Sequence, residues 1–366
     1  MKKILFLAAV LTASVVANAK TWRINPNSAA KPDFLSLKAA CDTADVVYGD
    51  TLYCEPGQYN VEEENKITKK GLTLIGPGYQ YKMNYGSTST VAEATFSAGI
   101  NIWADSIHVE GVKATTIGLT GSIKDVVIER NYIGQIYGGS GDTRRKRIAI
   151  RSNYITQNYG PQSGDARVYL YSSELSEIDI ENNIIVAEFS AIYLQAAYGS
   201  QALSAVIAHN TIYGGSLGFS YIRTAHSEIR DNIIILKEDA KTCLHFDDIE
   251  NSQLYNNVFS LVKADVDSAV YAQIGVENHF IGATLENTFT CQKVAGADDS
   301  YYQLKEGSVA AGKAFQHEDC GAFAGTWPYV IHGRPQDVPY IYDVVAPHRP
   351  VNDQLTITFK VKANNQ

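Results

Sequence analysis

The sequence of 366 residues lacks several features that would define the class of the protein at once. It has no Cys-x-x-Cys pair, which argues against a metal–thiolate site. It has no excess of cations, and a net charge of −8 argues against nucleic acid as a partner. It has no long apolar run after the first 19 residues, so we expect a soluble mature chain with no transmembrane segment.

The apolar stretch at the start of the chain is typical of a secretory signal. Two lysines precede an apolar run over residues 4–16, and a small-x-small cleavage site, Ala-Asn-Ala, ends at Ala19. The run is too short to span a membrane. We therefore predict a signal peptide over residues 1–19, a mature chain that begins at Lys20, and export to the periplasm or secretion beyond it.

The five cysteines leave at least one without a partner. In an oxidising compartment we expect Cys41 to pair with Cys54 and Cys291 with Cys320, which leaves Cys243 alone. Burial of Cys41 and Cys54 as free thiols is the alternative, and the sequence leaves it open.

What the chain does contain is a repeat between residues 125 and 260. Six short segments each centre on an asparagine, namely Asn131, Asn153, Asn183, Asn210, Asn232 and Asn257. These are 22, 30, 27, 22 and 25 residues apart, and a recurrence of about 25 residues is typical of a solenoid. Three residues before each asparagine stands an apolar side chain, at Ile128, Ile150, Ile180, Ile207, Ile229 and Leu254. Two residues after it stands another, at Ile133, Ile155, Ile185, Ile212, Ile234 and Phe259.

The spacing of these positions indicates stacked strands. Alternate side chains of a strand face opposite sides, so the apolar positions face inward and their neighbours face solvent. We expect each asparagine to take the left-handed backbone of a bend and to bond the next asparagine, which requires repeats about 4.8 Å apart. Antiparallel hairpins are the alternative, but Asn-Gly and Asp-Gly turns are missing between these segments.

This repeat resembles that of the right-handed parallel β-helix proteins, which include the pectate-lyase-like enzymes. The flanks are also similar to those of secreted β-helix proteins from Bacteroidetes-type bacteria, at residues 34–40, 49–53, 74–79 and 320–329. The resemblance implies an all-β, right-handed parallel β-helix of about eight to ten coils with a short N-terminal capping helix. The signature motifs of polygalacturonases and pectate lyases do not occur, so their catalytic residues cannot be carried over.

The flanking regions suggest a division of the chain. Asp33 is predicted to cap a helix from Phe34 to about Ala44, which would close the amino-terminal end of the coil. Residues 312–315 and 321–329 are predicted to form the last coil and a wrap over the far opening, and the basic run 144–147 to be a solvated turn or a contact to an anion. The predicted organisation is a signal peptide over 1–19, an N-terminal cap and first coils over 20–80, a parallel β-helix over 81–330, and an extended tether with a final strand over 331–366.

A second strand in each repeat carries the most site-like pattern of the sequence. Aligned by apolar positions, these strands form one outward column of Tyr169, Tyr193, Tyr221, His245 and Tyr271. The neighbouring outward column is Tyr171, Gln195, Arg223, Asp247 and Gln273. Aromatic rings at steps of about 4.8 Å, with amides and a guanidinium beside them, would suit an extended polysaccharide. Mutual stacking of the aromatic side chains on the sheet is the alternative.

Chemistry on such a polysaccharide would need further groups. Arg223 could neutralise a uronate, His245 could act as base or acid, and Asp247 with Asp248 could hold a metal or act as acid. No cofactor is assigned by the sequence, although a divalent cation such as calcium is compatible with this set. The chain is therefore predicted to bind or process polysaccharide as an exported monomer, by lyase-like or glycosidase-like chemistry if it is catalytic. A non-catalytic structural or adhesive envelope protein is the competing interpretation.

Overall fold

The computed structural model describes residues 19–80, 82–85, 88–91, 93–139, 141–156, 166–188, 190–196, 203–214, 222–236, 251–266, 268, 271–272, 275–293, 297–333, 340–345, 354 and 358–362. No helix within these ranges is long and apolar enough to cross a membrane.

The strands are β1 (Thr21–Ile24), β2 (Thr51–Cys54), β3 (Gly57–Gln58), β4 (Lys66–Ile67), β5 (Thr73–Ile75), β6 (Lys82–Tyr85), β7 (Thr88–Val91), β8 (Ala94–Phe96), β9 (Ile100–Ile102), β10 (His108–Glu110), β11 (Lys113–Leu119), β12 (Ile123–Glu129), β13 (Tyr132–Gly139), β14 (Arg144–Arg151), β15 (Tyr154–Thr156), β16 (Val168–Ser172), β17 (Glu174–Glu181), β18 (Ile184–Ala187), β19 (Ile192–Ala196), β20 (Leu203–Ala208), β21 (Thr211–Gly214), β22 (Ile222–Arg223), β23 (Ser227–Arg230), β24 (Ile233–Leu236), β25 (Gln253–Tyr255), β26 (Val258–Phe259), β27 (His279–Phe280), β28 (Tyr340–Val345) and β29 (Thr358–Lys362). The α-helices are α1 (Leu37–Asp42) and α2 (Leu285–Thr288), and short 3₁₀ turns lie at Ser28–Ala30, Glu62–Glu64, Lys263–Asp265, Asp299–Tyr302, Phe315–His317 and Ile331–Gly333.

Two parallel sheets form the coil. Sheet A has the order β1-β2-β5-β10-β12-β14-β17-β20-β23-β25, so one strand of each successive coil pairs with the next. Sheet B contains β22-β19-β16-β13-β15-β18-β21-β24-β26-β27, with β3, β4, β8, β9 and β11 attached to it. The predicted all-β parallel β-helix is confirmed, and the ten strands of sheet A agree with the predicted eight to ten coils. A separate sheet of β29-β28-β6-β7 lies outside these two.

The core of the coil is built from the two predicted apolar positions of the repeat. All twelve of these side chains are buried, and the most accessible, Leu254, is only 8% exposed. The position directly after each asparagine is also covered, although it faces away from the coil interior. It is occupied by Tyr132, Tyr154, Ile184, Thr211, Ile233 and Val258, all of which are buried.

The asparagines form a continuous ladder, as predicted. The backbone N–H and the side-chain amide of each one donate to the Oδ1 of the next, from Asn131 to Asn257. Asn278 adds a seventh member that the repeat pattern did not predict, because Gly275 replaces the apolar residue three positions before it. The predicted left-handed backbone is wrong by one position, since the residue before the asparagine adopts it, as at Arg130 with a φ of 54°.

The amino-terminal helix is shorter than predicted. Helix α1 covers Leu37–Asp42, and Ser36 rather than Asp33 is its N-cap, with its hydroxyl accepting from the N–H of Ala39. Asp33 instead accepts a hydrogen bond from the backbone of Arg23. The buried side of the helix, which includes Leu37, joins the core of the first coils.

Residues 314–333, which we call the return segment, do not wrap over the far opening as predicted. They run back along the flank of the coil over the asparagine bends. Their hydrogen bonds reach, in order, Asn256, Asp231, Thr211, Ser152 and Tyr79. The apolar side chains directly after the asparagines explain this course, because they need a cover on that flank.

The described cysteines, Cys41, Cys54, Cys291 and Cys320, are free thiols. The predicted pairs are therefore wrong, and the alternative of buried thiols is confirmed for Cys41 and Cys54. Cys243 lies outside the described residues.

The basic run is a strand rather than a solvated turn. Arg145 points into the coil and is almost fully buried, where it donates to the carbonyls of Leu119 and Tyr171 and to the hydroxyls of Thr143 and Ser172. Gly138 makes room for it, since a Cβ there would lie 2.8 Å from Nε of Arg145. The other cations of the run pair with carboxylates, as Lys146 does with Glu177 at 2.9 Å.

Candidate functional site

The outward face of sheet B carries a column of stacked tyrosines, which we call the tyrosine ladder. Tyr137 pairs in register with Tyr169, and Tyr169 with Tyr193, on strands β13, β16 and β19. The ring centroids of Tyr137 and Tyr169 are 5.3 Å apart with planes 10° from parallel. Those of Tyr169 and Tyr193 are 4.9 Å apart at 6°. The rings thus follow the rise of the coil, one per strand.

The stacking decides which ring surfaces can meet a ligand. Both faces of Tyr169 are covered by its neighbours, so this ring presents only its edge. The outer face of the exposed Tyr137 ring is a surface on which a flat ligand could stack. Mutual stacking, the alternative left open by the sequence, therefore describes the middle of the ladder.

The neighbouring column contains two of the predicted residues. Tyr171 pairs with Gln195, as the alignment predicted. The hydroxyl of Tyr193 donates to the side-chain carbonyl of Gln195, which links the two columns on one strand.

The predicted alignment of Arg223 is wrong by two residues. Arg223 follows Tyr193 in register and Ile222 follows Ile192, whereas the alignment placed Arg223 beside Gln195. A shift of two residues does not change the alternation of apolar and polar positions along a strand, so the apolar pattern alone could not detect it. Arg223 therefore continues the column of the ladder itself.

Tyr271 is not a member of either column. Its backbone is helical, and its ring meets Phe280 at 5.7 Å and lies under the ammonium of Lys263 at 4.5 Å. Phe280 is the last ring of an interior stack with Phe259, so Tyr271 contributes to closing the carboxyl-terminal end of the coil. The predicted site residues Tyr221, His245, Asp247 and Gln273, and also Asp248, lie outside the described residues.

The sequence analysis missed the residues at the amino-terminal end of the ladder. Tyr137 belongs to the same column as Tyr169, and the pairing of Ile136 with Val168 shows the shared pattern that could have identified it. Beyond Tyr137 the column continues with Gly118 and then Asn101. Trp103, which follows on the same outward face as Asn101, is 51% exposed.

Sheet A carries a cluster of charged side chains on its outward face. Nε2 of His108 lies 3.1 Å from Glu129 and 3.8 Å from Glu110. Arg130 contacts both carboxylates, forming an ion pair with Glu110 and lying 3.5 Å from Glu129. Burial raises the pKa of Glu110. Burial acts in the same sense on Glu129, but the hydrogen bond with His108 and the charge of Arg130 outweigh it, and its pKa is lowered.

Further along sheet A lies an open groove of about 520 Å³ over strand β20. The small outward side chains of β20, such as Val206, separate Asp179 on β17 from Glu228 on β23. Asp179 pairs with Arg151 at 3.1 Å and Glu228 with Arg230 at 2.8 Å. These carboxylates are neutralised within the protein, so the groove presents no uncompensated charge from them.

The comparisons with known proteins identify the family. Residues 63–273 match the family described as periplasmic copper-binding protein (NosD). The chain belongs to the NosD family. A solved structure, "Crystal structure of pectate lyase Pel9A", is similar with a TM-score of 0.36 and 12% identity over 85% of this chain and 98% of that one. A comparison with curated proteins gave no match.

The description of the NosD family raises the question of copper. Within the described residues, His108, Glu110 and Glu129 are the group whose ligand atoms approach one another closely enough for a metal. They offer one imidazole nitrogen and two carboxylates, without the thiolate or thioether ligands that select Cu(I), and Cu(II) would need carboxylates that are free to bind it. Arg130 already occupies both carboxylates. This cluster therefore does not fit a copper site.

Proposed function

We propose that the protein is exported to the periplasm, where it binds polysaccharide as a monomer along the outward face of sheet B. The observation that carries the proposal is the tyrosine ladder. Its rings rise at the spacing of the strands, and the Tyr137 ring at its amino-terminal end is exposed. Tyr171 and Gln195 add hydroxyl and amide groups beside it, and Arg223 continues the column. Aromatic faces flanked by hydrogen-bonding side chains suit an extended chain of sugars.

The family name and the apolar start of the chain support export. The NosD family is described as periplasmic, and residues 1–19 have the composition of a signal peptide. Sheet A offers a less suitable face for a sugar chain, because its carboxylates are engaged with arginines. We propose binding rather than bond cleavage as the function of the sheet B face.

The proposal is tested by affinity electrophoresis in gels that contain a neutral glucan, xylan or mannan, or polygalacturonate or alginate. We expect at least one polysaccharide to retard the protein. Replacing the first and third rings of the ladder together, Tyr137→Ala with Tyr193→Ala, should weaken binding by about tenfold or more. Tyr48→Ala is the matched control, because Tyr48 is 63% exposed but lies near the amino-terminal cap.

If none of these polysaccharides retards the protein, polysaccharide binding is ruled out and the structural or adhesive class takes its place. The ultraviolet absorbance of unsaturated products is followed in the same samples. Its increase would show that the protein is a lyase, and would contradict our assignment of binding alone.

A further inference from the structure

The two ends of the tyrosine ladder differ in what lies beyond them. At the amino-terminal end, the residue in register with Tyr137 on the preceding strand is Gly118. Because a glycine has no side chain, nothing from that position covers the outer face of the Tyr137 ring. Tyr137 is accordingly 39% exposed, whereas Tyr169 and Tyr193 are half-buried.

Gly118 is followed by Asn101, whose side chain stays close to the sheet. A Cβ at Gly118 would lie 2.6 Å from Oδ1 of Asn101, so the amide occupies the level at which a short side chain would begin. The Tyr137 ring lies across Gly139 of its own strand, where a Cβ would collide with the phenol oxygen. The Asn101 amide therefore lies next to the strand position from which the Tyr137 side chain begins.

Trp103 lies on the same outward face of sheet B. It follows Asn101 by two residues and therefore faces the same side of the sheet. Its ring is exposed, and the ammonium of Lys66 lies 5.9 Å from its centroid. Asn101 and Tyr137 are two strand spacings apart, which is about 9.6 Å of backbone. A phenol, an amide and an indole thus lie near one another in register on the outward face of the sheet, across three neighbouring strands.

The chemistry of these groups indicates the class of ligand. An aromatic face can stack on the apolar face of a pyranose ring, and an amide can both donate to and accept from its hydroxyls. The ammonium of Lys66, which lies beside Trp103, forms an ion pair with Glu63 at 2.5 Å. Lys66 is therefore already neutralised and is not expected to bind the carboxylate of a uronate.

We propose that the Tyr137–Asn101–Trp103 patch is the main subsite for one neutral pyranose unit, with the sugar stacked on the outer face of Tyr137. This inference rests on the proposed function and adds to it the position and the charge class of the sugar. The rest of the glycan then runs along the edges of the ladder towards Tyr193.

The test measures the affinity for defined oligosaccharides by isothermal titration calorimetry. The probes are cellohexaose, xylohexaose and mannohexaose as neutral chains, and hexagalacturonate as the acidic one. We expect a neutral hexamer to bind. Tyr137→Ala and Trp103→Ala should each weaken it by about tenfold, while the control Tyr48→Ala changes it by less than about threefold.

Gly118→Val gives a second approach that keeps every aromatic ring. Its branched side chain would displace the Asn101 amide and fill the space below the free face of Tyr137. We expect about a tenfold loss of affinity, and urea unfolding establishes that each variant is folded before its affinity is compared. Binding should also change the fluorescence of Trp103, a signal that Trp103→Ala removes.

The outcomes separate this inference from the proposed function. If Tyr193→Ala abolishes binding while Tyr137→Ala and Gly118→Val do not, the face binds glycan but the subsite is wrongly placed. If hexagalacturonate binds more tightly than every neutral hexamer, the charge class is wrong. If wild-type protein binds no probe and no polysaccharide in the gels, the proposed function itself fails.

Discussion

The backbone N–H and the side-chain amide of Asn153 both donate to a single atom, Oδ1 of Asn183, at 2.9 and 3.0 Å. The amide of Asn183 in turn donates to the carbonyl of Ile150 at 2.8 Å and to Asn210 at 3.0 Å. Each side chain of the ladder therefore satisfies buried groups of both neighbouring coils. The coils are joined by these side chains as well as by their sheets.

Asn183→Ala is expected to lower the free energy of unfolding by about 3–5 kcal/mol. The change removes the acceptor of two N–H groups of Asn153 and the donor to the carbonyl of Ile150, and these groups are buried. Asn278→Ala at the end of the ladder should cost less, because Asn278 is 9% exposed whereas Asn183 is fully buried. Urea unfolding followed by circular dichroism measures both. Equal losses would show that the ladder contributes no more in its middle than at its end.

Arg145→Met should destabilise the fold by about 2–4 kcal/mol, because the carbonyl of Leu119 and the hydroxyl of Ser172 lose a buried donor. Burial lowers the pKa of Arg145 to about 10, and hydrogen bonds to neutral groups hold it in place. The control is Arg144→Met at the neighbouring exposed position, with an expected change below about 0.5 kcal/mol. Similar losses in the two variants would contradict a structural role for the buried guanidinium.

Asp299 is a buried carboxyl beneath the return segment, and we expect it to make the stability of the fold depend on pH. Its Oδ2 accepts from Tyr329 at 2.8 Å and from the backbone of His332 at 2.9 Å, and burial raises its pKa. A carboxyl whose pKa is higher in the folded state binds its proton more tightly there. The free energy of unfolding that this tighter proton binding adds is therefore fully present below the unfolded pKa of about 3.9, and it is lost as the pH rises through the folded pKa.

Asp299→Asn should remove this dependence while keeping an oxygen acceptor. We expect wild-type protein to lose stability relative to this variant between about pH 4 and pH 7, measured by urea unfolding at each pH. Stability curves of the two proteins that stay parallel across this range would rule out the raised pKa.

Arg130→Asn tests whether an arginine blocks a metal site on sheet A. The change removes the cation from Glu110 and Glu129, and asparagine suits the left-handed backbone at this position. We expect the variant to bind Cu²⁺ about tenfold more tightly than wild-type protein in calorimetric titrations. Further replacement of His108 by alanine should reverse the gain. If wild-type protein binds as tightly and His108→Ala alone abolishes binding, the cluster is a metal site despite Arg130.

The coil could be predicted because its repeat is fixed by burial. The repeat position of Ile180 is buried in every coil, and that of Asn183 bonds to the same atoms of the neighbouring coils. Each of these positions therefore admits few kinds of side chain. The seventh asparagine, Asn278, escaped because Gly275 breaks the apolar pattern at the end of the coil. The apolar residues that follow the asparagines could have indicated a cover on that flank, but we predicted a wrap over the far opening instead.

The candidate site was predicted less completely, since its register depends on loops of variable length. Arg223 lies two residues from its aligned position, and this slip leaves the inward and outward faces unchanged. The orientation of the Tyr169 ring, which decides whether a sugar can reach its face, depends on packing between strands. A run of cations gives no sign that Arg145 points inward, because that depends on the space left by Gly138.

The return segment sets a limit on how this chain can change in length. Solenoids in general can gain or lose a coil without disturbing distant ones. Here one stretch of backbone touches the coil near Asn256 at one end and Tyr79 at the other. Inserting a coil between those two points would lengthen the flank by about 4.8 Å, so that the return segment could no longer form its hydrogen bonds at both ends. Descendants of this sequence should therefore vary in their loops while keeping the same number of turns.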